Sequence, residues 1–182
     1  MRLFIALDVP ETVKDQLESF HDRRIRARWT TRPQWHITLH FLGERQDEST
    51  IRQLLTEIRA VPFVLTLAGV GTFPERGKPR VLWAGIEAPS ALQTLHQNIG
   101  EALQTIGLQP DNRPYHPHMT LARFDDAAPD RAALSAYLDQ HHDFRSDTCE
   151  ITHFTLYESK LERGGAVYSA RARFPLFSWL AS

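Results

Sequence analysis

The chain has 182 residues, 42% of them hydrophobic and 24% charged, a globular composition that excludes a disordered protein. Its formal net charge of −1 argues against a protein that grips long nucleic acid, because such binding needs a basic surface. Recognition of a nucleic-acid end is not excluded. The length suits one domain over residues 1–182.

The single cysteine and the chain's first residues bear on its compartment. Cys149 has no partner for an internal disulfide, which fits a reducing cytosol, and we expect it to be a small buried hydrophobe. The opening MRLFIALDVP lacks the length and cleavage site of a signal peptide. No apolar run reaches the roughly 20 residues of a membrane span. The sequence therefore predicts a soluble, cytoplasmic protein.

Hydrophobic periodicity predicts strands and helices that alternate along the chain. The predicted strands cover residues 2–9, 35–42, 63–70, 80–87, 118–123, 144–158 and 166–175. The predicted helices cover residues 11–27, 47–59, 89–106 and 129–140. This order predicts an α+β fold with mixed or antiparallel sheets.

Two segments of the chain share one pattern. FIALDVPETVKDQL begins at residue 4 and LWAGIEAPSALQTL at residue 82, and each reads as strand, acidic residue, proline and amphipathic helix. The same short motif follows each helix, as His36-Ile37-Thr38-Leu39 and as His118-Met119-Thr120-Leu121. The sequence therefore predicts two related strand–helix–strand units, that is, a bilobal protein.

The two motifs carry groups suited to phosphoryl transfer. Alternation along a strand places His36 and Thr38 on one face, and likewise His118 and Thr120. If the units pack around a pseudo-two-fold axis, all four side chains face one cleft. A neutral imidazole can then take a proton from water while a protonated one gives a proton to the leaving oxygen. The hydroxyls can bond the non-bridging oxygens, and the scheme requires neither a metal nor a cofactor.

A metal site is the main alternative to acid–base catalysis by the two histidines. His36, His116 and His118 could supply three ligands. No cysteine joins them, however, and no carboxylate lies at a ligand-like spacing. The sequence therefore favours acid–base chemistry without a metal.

The segments WHITLHFLG and NRPYHPHMTLAR resemble the two signature motifs of the two-histidine phosphoesterases. Within these, they resemble the RNA 2′,3′-cyclic phosphodiesterases, also called the 2′-5′ RNA ligase family. The resemblance implies a bilobal α+β fold with the active site between the lobes. It implies hydrolysis of a terminal 2′,3′-cyclic phosphate to a 2′-phosphate, with His36 as proton donor and His118 as proton acceptor. The expected partners are RNA ends or small cyclic nucleotides, without a membrane, and the expected state is a monomer.

Arg123 is the open question of the second motif. Regular alternation would turn it away from the face of His118, but the residue belongs to the family motif, and arginine is a natural partner of phosphate. Phosphate contact and a structural ion pair therefore both stay open.

Other polar and aromatic residues near the motifs have simpler expected roles. We expect His40 at the rim on the face of His36, His116 in a structural role and Phe41 in the core. Stacking of Trp35 or Phe41 on a base is the alternative. The cations of the 72–80 turn are expected at a solvated hairpin tip, with steering of RNA as the alternative: Arg76, Lys78 and Arg80.

Two functions of another kind remain compatible with the sequence. One is a non-catalytic module that binds RNA ends or small nucleotides, and the other is a 2′-5′ RNA ligase that runs the reverse reaction. Turnover of a 2′,3′-cyclic nucleotide separates the phosphodiesterase from the binding module.

Overall fold

The computed structural model describes residues 1–125 and 129–177, and within these ranges two antiparallel sheets carry four α-helices. The strands are β1 (Arg2–Leu7), β2 (Arg28–Trp29), β3 (Ile37–Glu44), β4 (Phe63–Phe73), β5 (Val81–Glu87), β6 (His118–Arg123), β7 (Arg145–Ile151), β8 (His153–Glu162) and β9 (Gly165–Pro175). The helices are α1 (Glu11–Leu17), α2 (Glu48–Thr56), α3 (Ser90–Gln104) and α4 (Arg131–His141). The predicted α+β class is confirmed.

The two sheets repeat one strand order. The first runs β3-β1-β8-β9, and the second runs β6-β5-β4-β7 with the short β2 added beside β6. In each unit a helix begins just after a proline. The motif strand beyond this helix pairs antiparallel with the strand that precedes the helix, β3 with β1 in the first unit and β6 with β5 in the second. The repeat read from the sequence therefore corresponds to a real repeat of topology.

Two helices cover one face of each sheet, and one helix of each pair comes from the other unit. Helix α1, from the first unit, packs against β7 of the second sheet, where α4 also packs against β4. Helix α3, from the second unit, packs against β3 of the first sheet, where α2 packs against β9. One continuous apolar core results.

The first helix ends earlier than predicted. The sequence predicts a helix over 11–27, but α1 is followed only by a 3₁₀ turn that ends at Phe20. Beyond it, the Asp22 carboxylate accepts a hydrogen bond from the backbone N–H of Arg24 at 2.9 Å, and the N–H of Ile25 donates to the Asp22 carbonyl at 3.0 Å. This aspartate turn competes with helical bonding and redirects the chain.

The single strand predicted over 144–158 is two strands. The chain crosses at Thr152 from β7, which pairs with β4, to β8, which pairs with β1. Apolar alternation continues through this point, so the pattern alone gives no sign that the chain changes sheets. The link joins the two lobes.

Cys149 lies in the core on β7 and is fully buried. Burial raises the pKa of its thiol to about 11, so the expected role as a small hydrophobe is confirmed. No helix in residues 1–125 or 129–177 has both the length and the apolar character needed to cross a membrane.

Candidate functional site

The two motif histidines lie at the starts of strands β3 and β6. His118 is the first residue of β6, and His36 lies one residue before β3, whose start is two residues later than predicted. Strands β3 and β6 contact each other although they belong to different sheets. The structure therefore brings the two His-x-Thr motifs to one cleft between the sheets.

Each histidine ring is held by the carbonyl two residues before it. His36 Nδ1 lies 2.7 Å from the Gln34 carbonyl oxygen, and His118 Nδ1 lies 2.7 Å from that of His116. A carbonyl only accepts, so Nδ1 carries the proton in both rings. In the neutral form each Nε2 then carries no proton, and its lone pair can accept a hydrogen bond or a proton. For His36 this nitrogen lies 2.9 Å from Thr38 Oγ1, whose hydroxyl donates to it.

The turn that carries His36 is itself anchored. Within the 3₁₀ turn Arg32–Gln34, the Gln34 side chain accepts from the backbone N–H of Thr31 at 2.9 Å, while the Gln34 N–H donates to the Thr31 carbonyl at 2.8 Å. Gln34 Nε2 also donates to the carbonyl of Ala166 on β9 at 2.8 Å. The carbonyl that orients His36 is therefore fixed from two directions.

Aromatic rings enclose both imidazoles. His36 packs against Phe4 at a centroid distance of 4.9 Å and meets Tyr168 edge-on at 5.2 Å. His118 meets Phe73 edge-on at 4.9 Å. These apolar walls restrict water around the rings and strengthen the electrostatic interactions within the cleft.

This enclosure changes the pKa of His36. Burial lowers its pKa from 6.5 to about 4, opposed by the hydrogen bond to the Gln34 carbonyl and by the charge of Asp8. The charges of Arg123 and His118 lower the pKa further. Arg123 and His118 therefore lie within electrostatic range of His36.

The pKa of His118 is shifted by the same kinds of effect as that of His36. Burial lowers its pKa, the hydrogen bond to the His116 carbonyl opposes that effect, and the charges of Arg123 and His116 add to it. Without a bound anion, both imidazoles therefore favour the neutral form.

A β-bulge at Leu121 decides the position of Arg123. Thr120 pairs with Trp83, but Ala122 pairs with the next residue along β5, so Leu121 is an extra residue in β6. The bulge reverses the alternation, and Leu121 and Ala122 are both buried in succession.

Arg123 is therefore exposed on the face of His118 and Thr120, and the parity expected from a regular strand is wrong. It forms no ion pair with any residue in the described ranges, which leaves the phosphate-contact interpretation in place.

The same bulge occurs in β3 at Leu39. Thr38 pairs with Ala6 and His40 with Ile5, so the alternation reverses after Leu39. The expectation of His40 at the rim beside His36 is wrong, because His40 is buried on the opposite face, with Nε2 2.8 Å from the carbonyl of His96.

Phe41 is displaced by the same reversal. Its expected place in the core is wrong, since it is 73% exposed and pairs with Phe4 on the cleft side. Phe41 in the first unit thus corresponds to Arg123 in the second, each three residues after the motif threonine. Both motif strands thus carry a bulge at the same position, one residue after the motif threonine. The alternation of apolar and polar residues in the sequence does not reveal it.

Residues that the sequence did not single out connect the two motifs. The Tyr115 hydroxyl donates to the carbonyl of Thr38 at 2.9 Å. Its ring stacks on His96 at 3.9 Å, and His96 stacks on His40 at 4.2 Å. The structural role expected of His116 is carried by its main chain, since its ring is exposed.

Asp8 is a second group that the motifs did not predict. Its carboxylate accepts hydrogen bonds from Thr155 and His153, each at 2.8 Å, and from the Tyr157 hydroxyl. These partners are about 150 positions away in the chain, so no local signal could have identified the cluster.

The remaining candidates lie outside the cleft chemistry. Trp35 packs against the core and donates from Nε1 to Thr30 Oγ1 at 3.0 Å, which fits a structural role. The cations of the β4–β5 turn are exposed, and steering of RNA by them stays a prediction: Arg76, Lys78 and Arg80. Among the described residues, no three His, Cys, Asp or Glu side chains group closely enough to hold a metal ion, including the three motif-region histidines.

Comparison with known proteins gives consistent matches over nearly the whole chain. The sequence model of the 2′-5′ RNA ligase superfamily matches residues 9–163. The RNA 2′,3′-cyclic phosphodiesterase of Methanocaldococcus jannaschii is 30% identical over 172 residues, covering 92% of this chain and 96% of that protein. The enzyme of the same name from Thermotoga maritima is 33% identical over 177 residues, covering 92% and 91%.

Solved structures give the same picture. The protein TT0787 of Thermus thermophilus superposes with a TM-score of 0.78 at 29% identity, covering 97% of this chain and 98% of that chain. Escherichia coli LigT in complex with 3′-AMP superposes with a TM-score of 0.75 at 28% identity, with the same coverage.

Proposed function

Since the chain belongs to the 2′-5′ RNA ligase superfamily and is a phosphoesterase of that family, we propose that it hydrolyses terminal RNA 2′,3′-cyclic phosphates to 2′-phosphates. His36 and His118 act as the acid–base pair, and no metal takes part. The observation that carries the proposal is the twin arrangement of the two rings, each fixed through Nδ1 by a carbonyl two residues upstream.

His118 is the base in this mechanism. Its Nε2 lone pair takes a proton from water, whose oxygen attacks phosphorus from the side of the second sheet. The P–O3′ bond breaks on the opposite side, since attacking and leaving oxygens lie roughly in line. His36 gives its Nε2 proton to the 3′-oxygen, and the phosphate stays on the 2′-oxygen.

The low pKa of His36 has to be reversed for it to serve as the acid. The cyclic phosphate is an anion, and an anion within hydrogen-bond distance favours the protonated imidazolium. Asp8 acts in the same direction from within the protein. We therefore infer that the substrate itself supplies most of the field that protonates His36.

Three further side chains hold the phosphate in the proposed complex. The hydroxyls of Thr38 and Thr120 and the guanidinium of Arg123 bond the non-bridging oxygens, whose charge rises in the transition state. Arg123 suits this role because it is exposed on the cleft face without an ion pair to a described residue. Phe41, also exposed there, offers a ring on which the terminal base can stack.

The test is turnover of an oligonucleotide that ends in a 2′,3′-cyclic phosphate. Replacing His36 or His118 by alanine should lower kcat by about 10²–10⁴, and the double variant should lose much less than the product of the single losses. His142→Ala is the matched control, because this exposed histidine just after α4 also bonds a carbonyl through Nδ1 at 2.8 Å.

Product analysis and chelation complete the test. Chromatography against 2′- and 3′-nucleotide standards should show the 2′-phosphate alone, while a mixture would contradict a site of fixed direction. Activity should survive EDTA, and loss that zinc or manganese restores would favour metal chemistry. Tight binding of the oligonucleotide without turnover would indicate a binding module instead.

A further inference from the structure

Asp8 lies opposite His36 at the end of the first sheet. Strands β1 and β3 pair antiparallel as far as Leu7 and Ile37, and the next step of this register sets Asp8 across from His36. Residues directly opposed in an antiparallel pair point to the same face, with Cβ atoms about 4.5–5.5 Å apart. In keeping with this position, the charge of Asp8 raises the pKa of His36 against the larger effect of burial. The sheet thus places a carboxylate beside the ring that the proposed mechanism uses as the acid.

Three donors from β8 hold this carboxylate in place. Thr155 and His153 donate to Oδ2, each at 2.8 Å, and the Tyr157 hydroxyl donates to Oδ1. Burial alone would raise the pKa of Asp8, but the three hydrogen bonds and the charge of His153 lower it below its usual value. Two of the three donors are uncharged hydroxyls, so they fix the carboxylate without neutralising it. Its negative charge stays available to a neighbouring imidazolium.

The second unit has a glycine at the corresponding place. Gly85 of β5 pairs with His118 of β6, so it occupies the position that Asp8 has relative to His36. A Cβ on Gly85 would collide with the carbonyl oxygen of Ala68, which excludes any side chain there. The fold therefore allows a carboxylate opposite the first histidine and forbids one opposite the second.

The acidic residue of the second unit does not take over this role. Glu87, which precedes the proline of that unit, forms an ion pair with Arg145, and both side chains are exposed. Among residues 1–125 and 129–177, the charges that act on the pKa of His118 are those of Arg123 and His116, and both lower it. The two histidines are held alike through Nδ1 but differ in the charge beside them.

We propose that Asp8 is the positioning residue that gives the two-histidine site its direction. Its fixed charge holds a proton on His36, and the glycine at the matching place leaves His118 as the base. This inference rests on the proposed function. As the P–O3′ bond breaks, its electron pair passes to O3′, which takes the Nε2 proton of His36. The bound phosphate and Asp8 together keep that proton on the ring until then.

Other titratable and charged groups face Asp8 or His36. They are His118 and Arg123 from β6, His153 and Tyr157 from β8, and Tyr168 and Arg173 from β9. Arg123 and His118 lower the pKa of His36 and so oppose its protonation. The tyrosines are neutral below a pH of about 10. Asp8 is therefore the one carboxylate among these groups that can stabilise the imidazolium.

The experiment compares two leaving groups. One substrate is adenosine 2′,3′-cyclic phosphate, whose 3′-oxygen needs a proton as it leaves, and the other carries sulfur in place of the bridging 3′-oxygen. When the P–S bond breaks, the electron pair stays on sulfur as a thiolate, which needs no acid because thiols ionise near a pH of about 8.5. Turnover of both is measured for the wild type, Asp8→Asn and Asp22→Asn. Asp22 is the matched control, since its shielded carboxylate is bonded by Arg24 on the loop after α1.

Asp8→Asn should slow the oxygen substrate by about tenfold at mildly alkaline pH, the effect of lowering the pKa of the acid by about one unit. Turnover of the sulfur substrate should stay close to wild type. His36→Ala should show the same selectivity more strongly, whereas His118→Ala should slow both substrates, because water has to be activated in either case. Asp22→Asn should match the wild type on both. Equal slowing of the two substrates by Asp8→Asn would overturn the proposal, since a distorted site affects both leaving groups alike.

A titration of the histidines by NMR separates this proposal from the function on which it rests. Absence of hydrolysis in the wild type would refute the phosphodiesterase. A pKa of His36 that falls in Asp8→Asn with inorganic phosphate bound, while that of His118 stays, would still assign the charge to Asp8. An unfolded fraction cancels in the ratio of the two turnover rates, and Asp8→Ser is a second neutral variant. Hydrolysis with this ratio unchanged in both variants would keep the function and refute the role of Asp8.

Discussion

Tyr115 donates a hydrogen bond from its hydroxyl to the main-chain carbonyl of Thr38 at 2.9 Å, and so ties the loop before one motif histidine to the strand that carries the other motif. The tyrosine also stacks on His96, which stacks on His40 beneath the same strand. The spacing of the two imidazoles therefore depends on a contact that neither imidazole makes.

Tyr115→Phe should lower kcat several-fold while it leaves the stacked ring in place. The unfolding free energy should fall by about 0.5–1.5 kcal/mol, the usual net worth of one hydrogen bond. Parallel measurement of kcat, KM and urea unfolding checks this. A change in stability with kcat untouched would limit the bond to a structural role. Tyr137→Phe, which removes the bond to the Phe20 carbonyl remote from the motif strands, is the matched control.

His40→Ala should destabilise the protein rather than slow the chemistry. His40 is buried and bonds the His96 carbonyl, so the variant loses a hydrogen bond and opens space beside α3. We expect a loss of about 1–3 kcal/mol in unfolding free energy with kcat per folded molecule close to wild type. Denaturant titration with active-site titration distinguishes the two effects. A selective loss of kcat in a fully stable variant would contradict the assignment.

Stability should rise with pH between the pKa of about 4 for His36 in the fold and the ordinary histidine value of 6.5. In this window the unfolded chain binds a proton that the folded ring does not, so protons favour unfolding. The contribution is present above pH 6.5 and is lost as the pH falls toward 4. Urea unfolding at several pH values should show the slope, and His36→Gln should reduce it. The remaining slope comes from the other histidines whose pKa is lowered in the fold: His40, His96, His118 and His141.

Binding of an anion should reverse this preference. If a phosphate raises the pKa of His36, inorganic phosphate or 2′-AMP should bind with proton uptake near neutral pH. Calorimetry in buffers of different ionisation enthalpy measures that uptake. His36→Gln should reduce the uptake, the remainder coming from His118, while His142→Gln should leave it unchanged. Binding without proton uptake would contradict the role of His36 as the acid charged by its substrate.

Arg123→Ala should raise KM and lower kcat/KM by about 10–100-fold, as expected for loss of a charge-assisted hydrogen bond. Arg123→Lys should recover part of the loss, since the charge remains but the bidentate geometry does not. Arg131→Ala, at the exposed start of α4, is the control. Unchanged kinetics in Arg123→Ala would show that the guanidinium does not touch the substrate.

The sequence predicted the repeat, the motif strands and the position of both histidines, because these depend on residue type and regular period. It failed where the period is interrupted by one residue. The bulges at Leu39 and Leu121 reverse the alternation, which moved Phe41 and Arg123 to the cleft face and His40 into the core. Pairing with β1 and β5 sets these bulges, and pairing is not visible in a single strand.

Long-range contacts explain the other omissions. Asp8 meets partners near residue 155, and Tyr115 reaches Thr38 across the cleft, so neither was recognisable from its neighbours. The crossing at Thr152 likewise follows from which strand each side pairs with. The sequence identified the two motif imidazoles but not the groups that fix their geometry.

The exchange of helices between the units limits how the cleft can move. Since α1 packs on the second sheet and α3 on the first, separating the lobes would strip each sheet of a helix that belongs to the other half. A hinge opening would therefore expose apolar core rather than only the cleft walls. The exchange of helices therefore favours a fixed spacing of the two imidazoles, set before any ligand arrives.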